Sequence, residues 1–390
     1  MKKLNKFILV SALVFSFSAC KKTDVNVPPP PPQQKDISSV DQKATDWMTK
    51  NKMPGLSLAV SKDGKLVYAK GYGEANTDTH EKVTTESQFR IASVSKLLTS
   101  VAIMKLVENG KVAMDQKVFG TNGVLGTTYG TQPYNQYITD ITISELLHHT
   151  GGGWGQDNDP AFFDITQDKP AIINYTLNNI PLKRSPGSGF DYSNFGYMLL
   201  AQVVEKVSGK AYNQFVNDEI WMKTGATHSS IAGSKLSDKL PIEVVYYGQG
   251  NEGQYVYNTN LARGDGAMGW LSTPSDLLRF ATAVDGSSTR PDILSAATIK
   301  TMTTTSSASI GFGFHFGCGW VVEGDEWFWW GSLPGTFAML YRNENGICIA
   351  ATANSRVQPT PENALNSFIG VINFLASTND IPWQDIDQFK

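Results

Sequence analysis

Phe89-Arg90-Ile91-Ala92-Ser93-Val94-Ser95-Lys96 is the stretch from which the rest of the chain can be ordered. Behind it, Leu97, Leu98, Val101, Ala102, Met104, Leu106 and Val107 recur at helical spacing and stop at Asn109-Gly110, a pair that ends helices. The pattern predicts a buried helix with Ser93 at its start and Lys96 one turn later on the same face. A serine hydroxyl is a poor nucleophile until a base takes its proton. Lysine serves as that base only as the neutral amine, and apolar neighbours that strip its water lower its pKa. The positive end of a helix disfavours the ammonium further and favours an oxyanion. Serine three residues before lysine also occurs at Ser18 and Lys21. The spacing therefore gains weight only from the apolar run behind it, and a helix cap beside a surface charge is the plainer reading of the pair.

Two further stretches carry chemistry. In Gly187-Ser188-Gly189-Phe190-Asp191-Tyr192-Ser193-Asn194, a glycine-rich loop delivers Tyr192 and Asn194 just before a helix. A tyrosine held partly as phenolate beside a lysine can act as base for Ser93, and Asn194 can bond both Lys96 and a substrate amide. A loop tyrosine that packs its ring and donates one hydrogen bond is the alternative. In Trp329-Trp330-Gly331-Ser332-Leu333-Pro334-Gly335, a glycine on an edge strand admits a substrate backbone. The N–H of Ser332 and that of Ser93 would then form an oxyanion hole. A strand that ends in a Leu-Pro-Gly turn, with its tryptophans in the core, is the competing reading.

Working outward, Leu56 to Val60 and Lys65 to Tyr72 flank Asp63-Gly64, a hairpin signal. Strand-like runs follow at Gly317 to Val322, Glu326 to Trp330, Thr336 to Tyr341 and Ile347 to Ala353, with a tight turn at Asn345-Gly346. The hairpin and the late runs are expected to share one antiparallel sheet, covered on one face by helices at Ser39 to Lys52 and Pro361 to Ala376. Between them, Asp115 to Arg263 predicts a mainly helical inserted subdomain. Its helices are expected at Ile143 to His149, Ala171 to Asn178, Phe195 to Ser208 and Tyr212 to Trp221. The fold class is thus α+β, with the pocket between the two parts.

Ser-x-x-Lys, Tyr-x-Asn and a glycine strand, in this order and at these wide spacings, resemble the class C β-lactamase, DD-peptidase and related esterase family. Thr142 to Gly151 and Gly269 to Phe280 resemble the same family, and the likeness runs from Ser39 to Ala376. It implies a β-lactamase/transpeptidase-like architecture. It implies Ser93 as acylated nucleophile, Lys96 and Tyr192 as base and proton relay, and Asn194 as partner of both lysine and substrate. Relatives that cleave β-lactams or D-alanyl peptides usually carry lysine or histidine at the head of the third motif. This chain has Trp329 or Trp330 there, depending on register, and an indole offers one N–H and no charge. A pocket without that cation binds anionic substrates less well. The expectation is therefore an esterase-like serine hydrolase acting on small ester, amide or peptide substrates, with weak β-lactamase activity at best. A D-alanyl-D-alanine carboxypeptidase is the nearest alternative. A peptidoglycan-binding homologue without turnover is another, although retention of Ser93, Lys96, Tyr192 and Asn194 together argues for catalysis.

Lys2, Lys3 and Lys6, then the apolar Phe7 to Phe17, read as an export signal. Ser18-Ala19-Cys20 resembles a bacterial lipoprotein processing site, with residues 1–19 removed and Cys20 lipidated. An ordinary signal peptide with an incidental cysteine is the other reading. Lys21 to Asp36, broken by Pro28 to Pro32, predicts an extended tether to the membrane, and the folded domain is expected over 38–380. The remaining cysteines, Cys318 and Cys348, read as buried free thiols or as an oxidised pair. A net charge of −3 on 390 residues, without a basic run, excludes the footprint of a nucleic-acid binder. The chemistry requires no cofactor. His148-His149 lacks companions at metal-ligand spacing and reads as a turn after Leu147.

Overall fold

Asp63 and Gly64 both adopt left-handed backbone (φ 50° and 74°), as a two-residue hairpin turn requires. They join β1 (Gly55–Lys62) to β2 (Lys65–Asn76), with one bulge after Val60. The computed structural model describes residues 34–249, 255–358, 360–376 and 381–389. The predicted export signal, Cys20 and the proline run lie outside them. From Gln34 onward the chain forms one unit. Gln34, placed in the tether by sequence, already accepts a bond from Ala69 N at 2.7 Å. At the other end, Gln388 N donates to Leu66 O and Asp387 pairs with Arg290, so residues 381–389 also belong to the folded part.

After β2 come β3 (Glu81–Lys82), then three short strands of a small second sheet, β4 (Phe89–Arg90), β5 (Ser230–Ile231) and β6 (Trp270–Ser272). The short pair β7 (Ile310–Gly311) and β8 (Phe314–His315) precedes β9 (Val321–Glu323), β10 (Glu326–Leu333), β11 (Thr336–Arg342) and β12 (Ile347–Ala353). Among the described residues the main sheet has seven antiparallel strands in the order β3-β2-β1-β12-β11-β10-β9. The N-terminal hairpin thus joins the late strands, as the sequence predicts. One predicted strand is shorter than expected. Gly317 to Trp320 is turn, and only Val321 onward pairs. Gly319 is left-handed (φ 80°), and a Cβ on it would lie 2.6 Å from Ser100 Oγ, so this piece is a close backbone approach.

Every residue of β12 is buried, so both sheet faces are covered. On one side lie α1 (Ser38–Asn51) and the C-terminal helix Pro361–Ala376, with Trp47 packed between Phe337 of β11 and Phe368. The buried α2 (Ser95–Glu108) follows the Ser93 turn. The predicted inserted segment carries α3 (Ile143–Leu147), α4 (Lys169–Asn179), α5 (Asn194–Ser208), α6 (Tyr212–Val216) and α7 (Met222–Thr224), the last two joined through a π turn. Of strands, its described residues hold only β5. Then α8 (Asp265–Met268) packs on α2 and α5, and α9 (Pro274–Ala281) packs on β1, β2, β11 and β12.

Candidate active site

Ser93 lies not in the helix, as its sequence context predicts, but in a 3-10 turn, Ala92–Val94, that leads into α2. Ala92 is left-handed (φ 45°), a costly conformation for a residue with a Cβ, and such strain persists only where surrounding structure enforces it. One enforcing element is β10. A Cβ on Gly331 would lie 2.1 Å from Ile91 O and 2.9 Å from Ser93 N, so only glycine lets the strand press on this turn. Ser93 itself stays partly exposed between buried neighbours.

Lys96 is fully buried. Its Nζ lies 3.2 Å from Ser93 Oγ, 2.7 Å from Asn194 Oδ1 and 2.9 Å from Ala267 O. Burial pulls its pKa down to about 7, against the opposing influence of the Asp159 carboxylate. Tyr192 donates its phenol O–H to Ser93 Oγ at 2.8 Å. The phenolate expectation fails here: burial pushes the Tyr192 phenol above its ordinary range, and the nearby Asp159 charge adds to this. The group poised to titrate near neutrality is the lysine.

The tripeptide Tyr192-Ser193-Asn194 is held from three directions. Ser193 caps α5, its Oγ accepting from Gly196 N at 2.9 Å and donating to Trp154 O at 2.6 Å. His149 accepts from Ser193 N at 3.1 Å through Nδ1, which places its proton on Nε2. Its ring lies tilted against that of Tyr192, centroids 4.4 Å apart, and burial, then the Lys96 charge, keeps it neutral. Asp159 binds Asn194 twice, from backbone N at 2.5 Å and from Nδ2 at 3.0 Å. The sequence marks His149 as a turn residue within a family-like stretch and gives Asp159 no site signal. Asp159-Pro160 is a helix-cap signature, which marks a turn rather than a site.

In the third motif the strand pleat settles the register. Trp329 shares a face with Gly331 toward Ser93, and its indole N–H donates to Ser93 O at 3.0 Å. Trp330 packs against Phe312 and Phe314. Both tryptophans, with Ser93, Phe162, Tyr192, Asn194, Met268, Phe312, Ser332, Leu333 and Glu362, line a cleft of about 180 Å³. Arg356, outside that lining, donates from Nη1 to Ser332 Oγ at 3.1 Å.

Cys318 and Cys348 are buried free thiols. His148 lies 3.9 Å from Cys318 through Nε2 and 2.7 Å from Ser144 O through Nδ1. Among the described residues no cluster of three metal-ligating side chains occurs.

A family model described as Beta-lactamase matches residues 40–373. Penicillin-binding protein 4* of Bacillus subtilis (strain 168) is 28% identical over 297 residues, covering 70% of this chain and 60% of that protein. The "Putative D-alanyl-D-alanine carboxypeptidase" of Escherichia coli O157:H7 is 26% identical over 363 residues, covering 83% and 81%. Among solved structures, the octameric penicillin-binding protein homologue from Pyrococcus abyssi superposes with a TM-score of 0.69 at 24% identity, over 87% of this chain and 78% of that one. With the antiparallel sheet and its flanking helices, the extent of the family match identifies this chain as a member of the beta-lactamase family of serine hydrolases.

Proposed function

We propose that this protein cleaves esters or uncharged amides through an acyl-enzyme on Ser93. The observation that carries the reading is the meeting of Ser93 Oγ with Lys96 Nζ at 3.2 Å and Tyr192 Oη at 2.8 Å in the cleft. The neutral Lys96 amine takes the Ser93 proton as Oγ attacks the substrate carbonyl carbon. The negative charge that develops on the carbonyl oxygen is met by the N–H groups of Ser93 and Ser332. The bond to the leaving group then breaks, and Tyr192 donates its proton to the departing atom while taking one back from the Lys96 ammonium. Water repeats the sequence on the acyl-enzyme, losing its proton to the same relay and releasing the acid and free Ser93.

Ester-like specificity is supported by Trp329, an uncharged group where a cation serves anionic substrates, and by the aromatic lining. A second reading, hydrolysis of D-alanyl peptides, is favoured by the Arg356 guanidinium on Ser332 and by the name of the Escherichia coli relative. Labelling with a fluorophosphonate and a fluorescent penicillin, followed by a panel of esters, D-amino-acid peptides and β-lactams, separates these. Ester turnover without penicillin labelling supports the first reading. Faster turnover of peptides with a free C-terminal carboxylate supports the second, and no adduct on Ser93 favours a binding role.

We also read the enzyme as exported and lipid-anchored to the bacterial cell envelope, on the strength of the basic N-terminus, the apolar run and Ser18-Ala19-Cys20. Labelled palmitate should enter the wild type and not Cys20→Ala.

A further inference from the structure

Asp159 is buried, and its carboxylate accepts from four N–H groups. Oδ1 takes those of Ala161 N at 3.0 Å and Phe195 N at 3.1 Å, and Oδ2 takes those of Asn194 N at 2.5 Å and Asn194 Nδ2 at 3.0 Å. The Nδ2 bond decides which way the Asn194 amide faces. A carboxylate only accepts, so the NH2 end turns to Asp159 and Oδ1 turns to Lys96, 2.7 Å from Nζ.

That orientation allocates the Lys96 protons. A neutral amine has two N–H groups and one lone pair. Asn194 Oδ1 and Ala267 O, at 2.7 and 2.9 Å, are pure acceptors and take both N–H groups. The lone pair is left facing Ser93 Oγ at 3.2 Å, where a general base needs it. A reversed amide would offer its own N–H to Lys96 and compete for that lone pair. We propose that Asp159 is the positioning residue that holds the Asn194 amide in the orientation aiming the Lys96 lone pair at Ser93. The inference rests on Ser93 as nucleophile and Lys96 as its base.

The charges around the pair define the test. Lys96 faces the rings of Tyr192 and Tyr197, 4.8 and 5.6 Å from Nζ, and the neutral His149. On α8, Asp265 is already paired with Lys169 at 2.7 Å. On the far side of Asp159, Arg263 donates to Ala161 O and Phe163 O. Asp159 is the group whose charge favours the Lys96 ammonium. Removing that charge lowers the Lys96 pKa, so the acidic limb of kcat/KM moves to lower pH.

The experiment measures kcat, KM and the pH profile on a short-chain p-nitrophenyl ester for Asp159→Asn and for Asp159→Ser, which keeps an acceptor for the α5 amides. Each should lose kcat on the order of 10²-fold, with KM changed far less, and shift the acidic limb downward. A folded variant with wild-type kcat and limb, altered only in Tm, would reduce Asp159 to a helix cap and overturn the proposal. Failure of a fluorophosphonate to label wild-type Ser93 would instead remove the reading beneath it.

Discussion

The indole N–H of Trp329 donates to the backbone oxygen of Ser93 at 3.0 Å, so the head of the third motif is bonded to the residue proposed as nucleophile. Trp329 stands where the sequence resemblance implies a cation in relatives that cleave anionic substrates, and here it braces the Ser93 turn and walls the cleft. Trp329→Lys should therefore raise the ratio of cephalosporin to p-nitrophenyl ester turnover. Trp330→Lys, whose side chain lines the cleft against Phe312 and Phe314 rather than on the Ser93 turn, should raise it less. Steady-state rates on both substrates decide it, and an unchanged ratio in Trp329→Lys would show that the motif does not set substrate charge.

Lys96→Ala and Tyr192→Phe should each cost about two or more orders of magnitude in kcat, the scale of general acid–base catalysis. The two act on one oxygen, so their losses should not add in the double variant. Near-wild-type kcat in either single variant means its role is misassigned.

The activity should depend on pH through Lys96. Its pKa lies near 7, and only the neutral amine accepts the Ser93 proton, so kcat/KM should fall as pH drops below about 7. Stability follows with its own sign. The unfolded chain holds the lysine proton up to about 10.5 while the folded chain releases it near 7, so the unfolded state binds more protons between those values. Wild-type stability should therefore rise through that window relative to Lys96→Met, which has no amine to titrate. Urea unfolding across the window checks this, and parallel curves would contradict the shifted pKa.

Gly331→Ala should disable the enzyme without touching a reacting atom. Its Cβ would sit 2.1 Å from Ile91 O, a backbone atom that yields only if the strand or the Ser93 turn moves. A displacement approaching 1 Å costs roughly 10²-fold in rate. The check is kcat alongside circular dichroism, and full activity would mean that β10 does not position Ser93.

Much of this was legible in the sequence, and for physical reasons. Asp63-Gly64 fixes its hairpin because both residues accept left-handed backbone. Ser93, Lys96, Tyr192 and Asn194 stand out because their chemistry resides in side chains at recognisable spacings. Ala267 left no trace because it contributes a backbone oxygen. Asp159 was hidden because three of its four N–H partners lie on a helix more than thirty residues further along the chain, reached through an irregular loop. The choice between Trp329 and Trp330 depends on strand pleat, which adjacent identical residues cannot reveal. The protonation of Tyr192 depends on burial, which the glycine-rich composition of its loop conceals.

Covalent modification of Ser93 is the most direct test of its proposed role as nucleophile. Intact-protein mass spectrometry after treatment with a fluorophosphonate should show one added phosphonyl group, mapped to Ser93 and absent from a folded Ser93→Ala variant that also lacks esterase turnover. An unmodified wild type, or an adduct and turnover that survive Ser93→Ala, would contradict it.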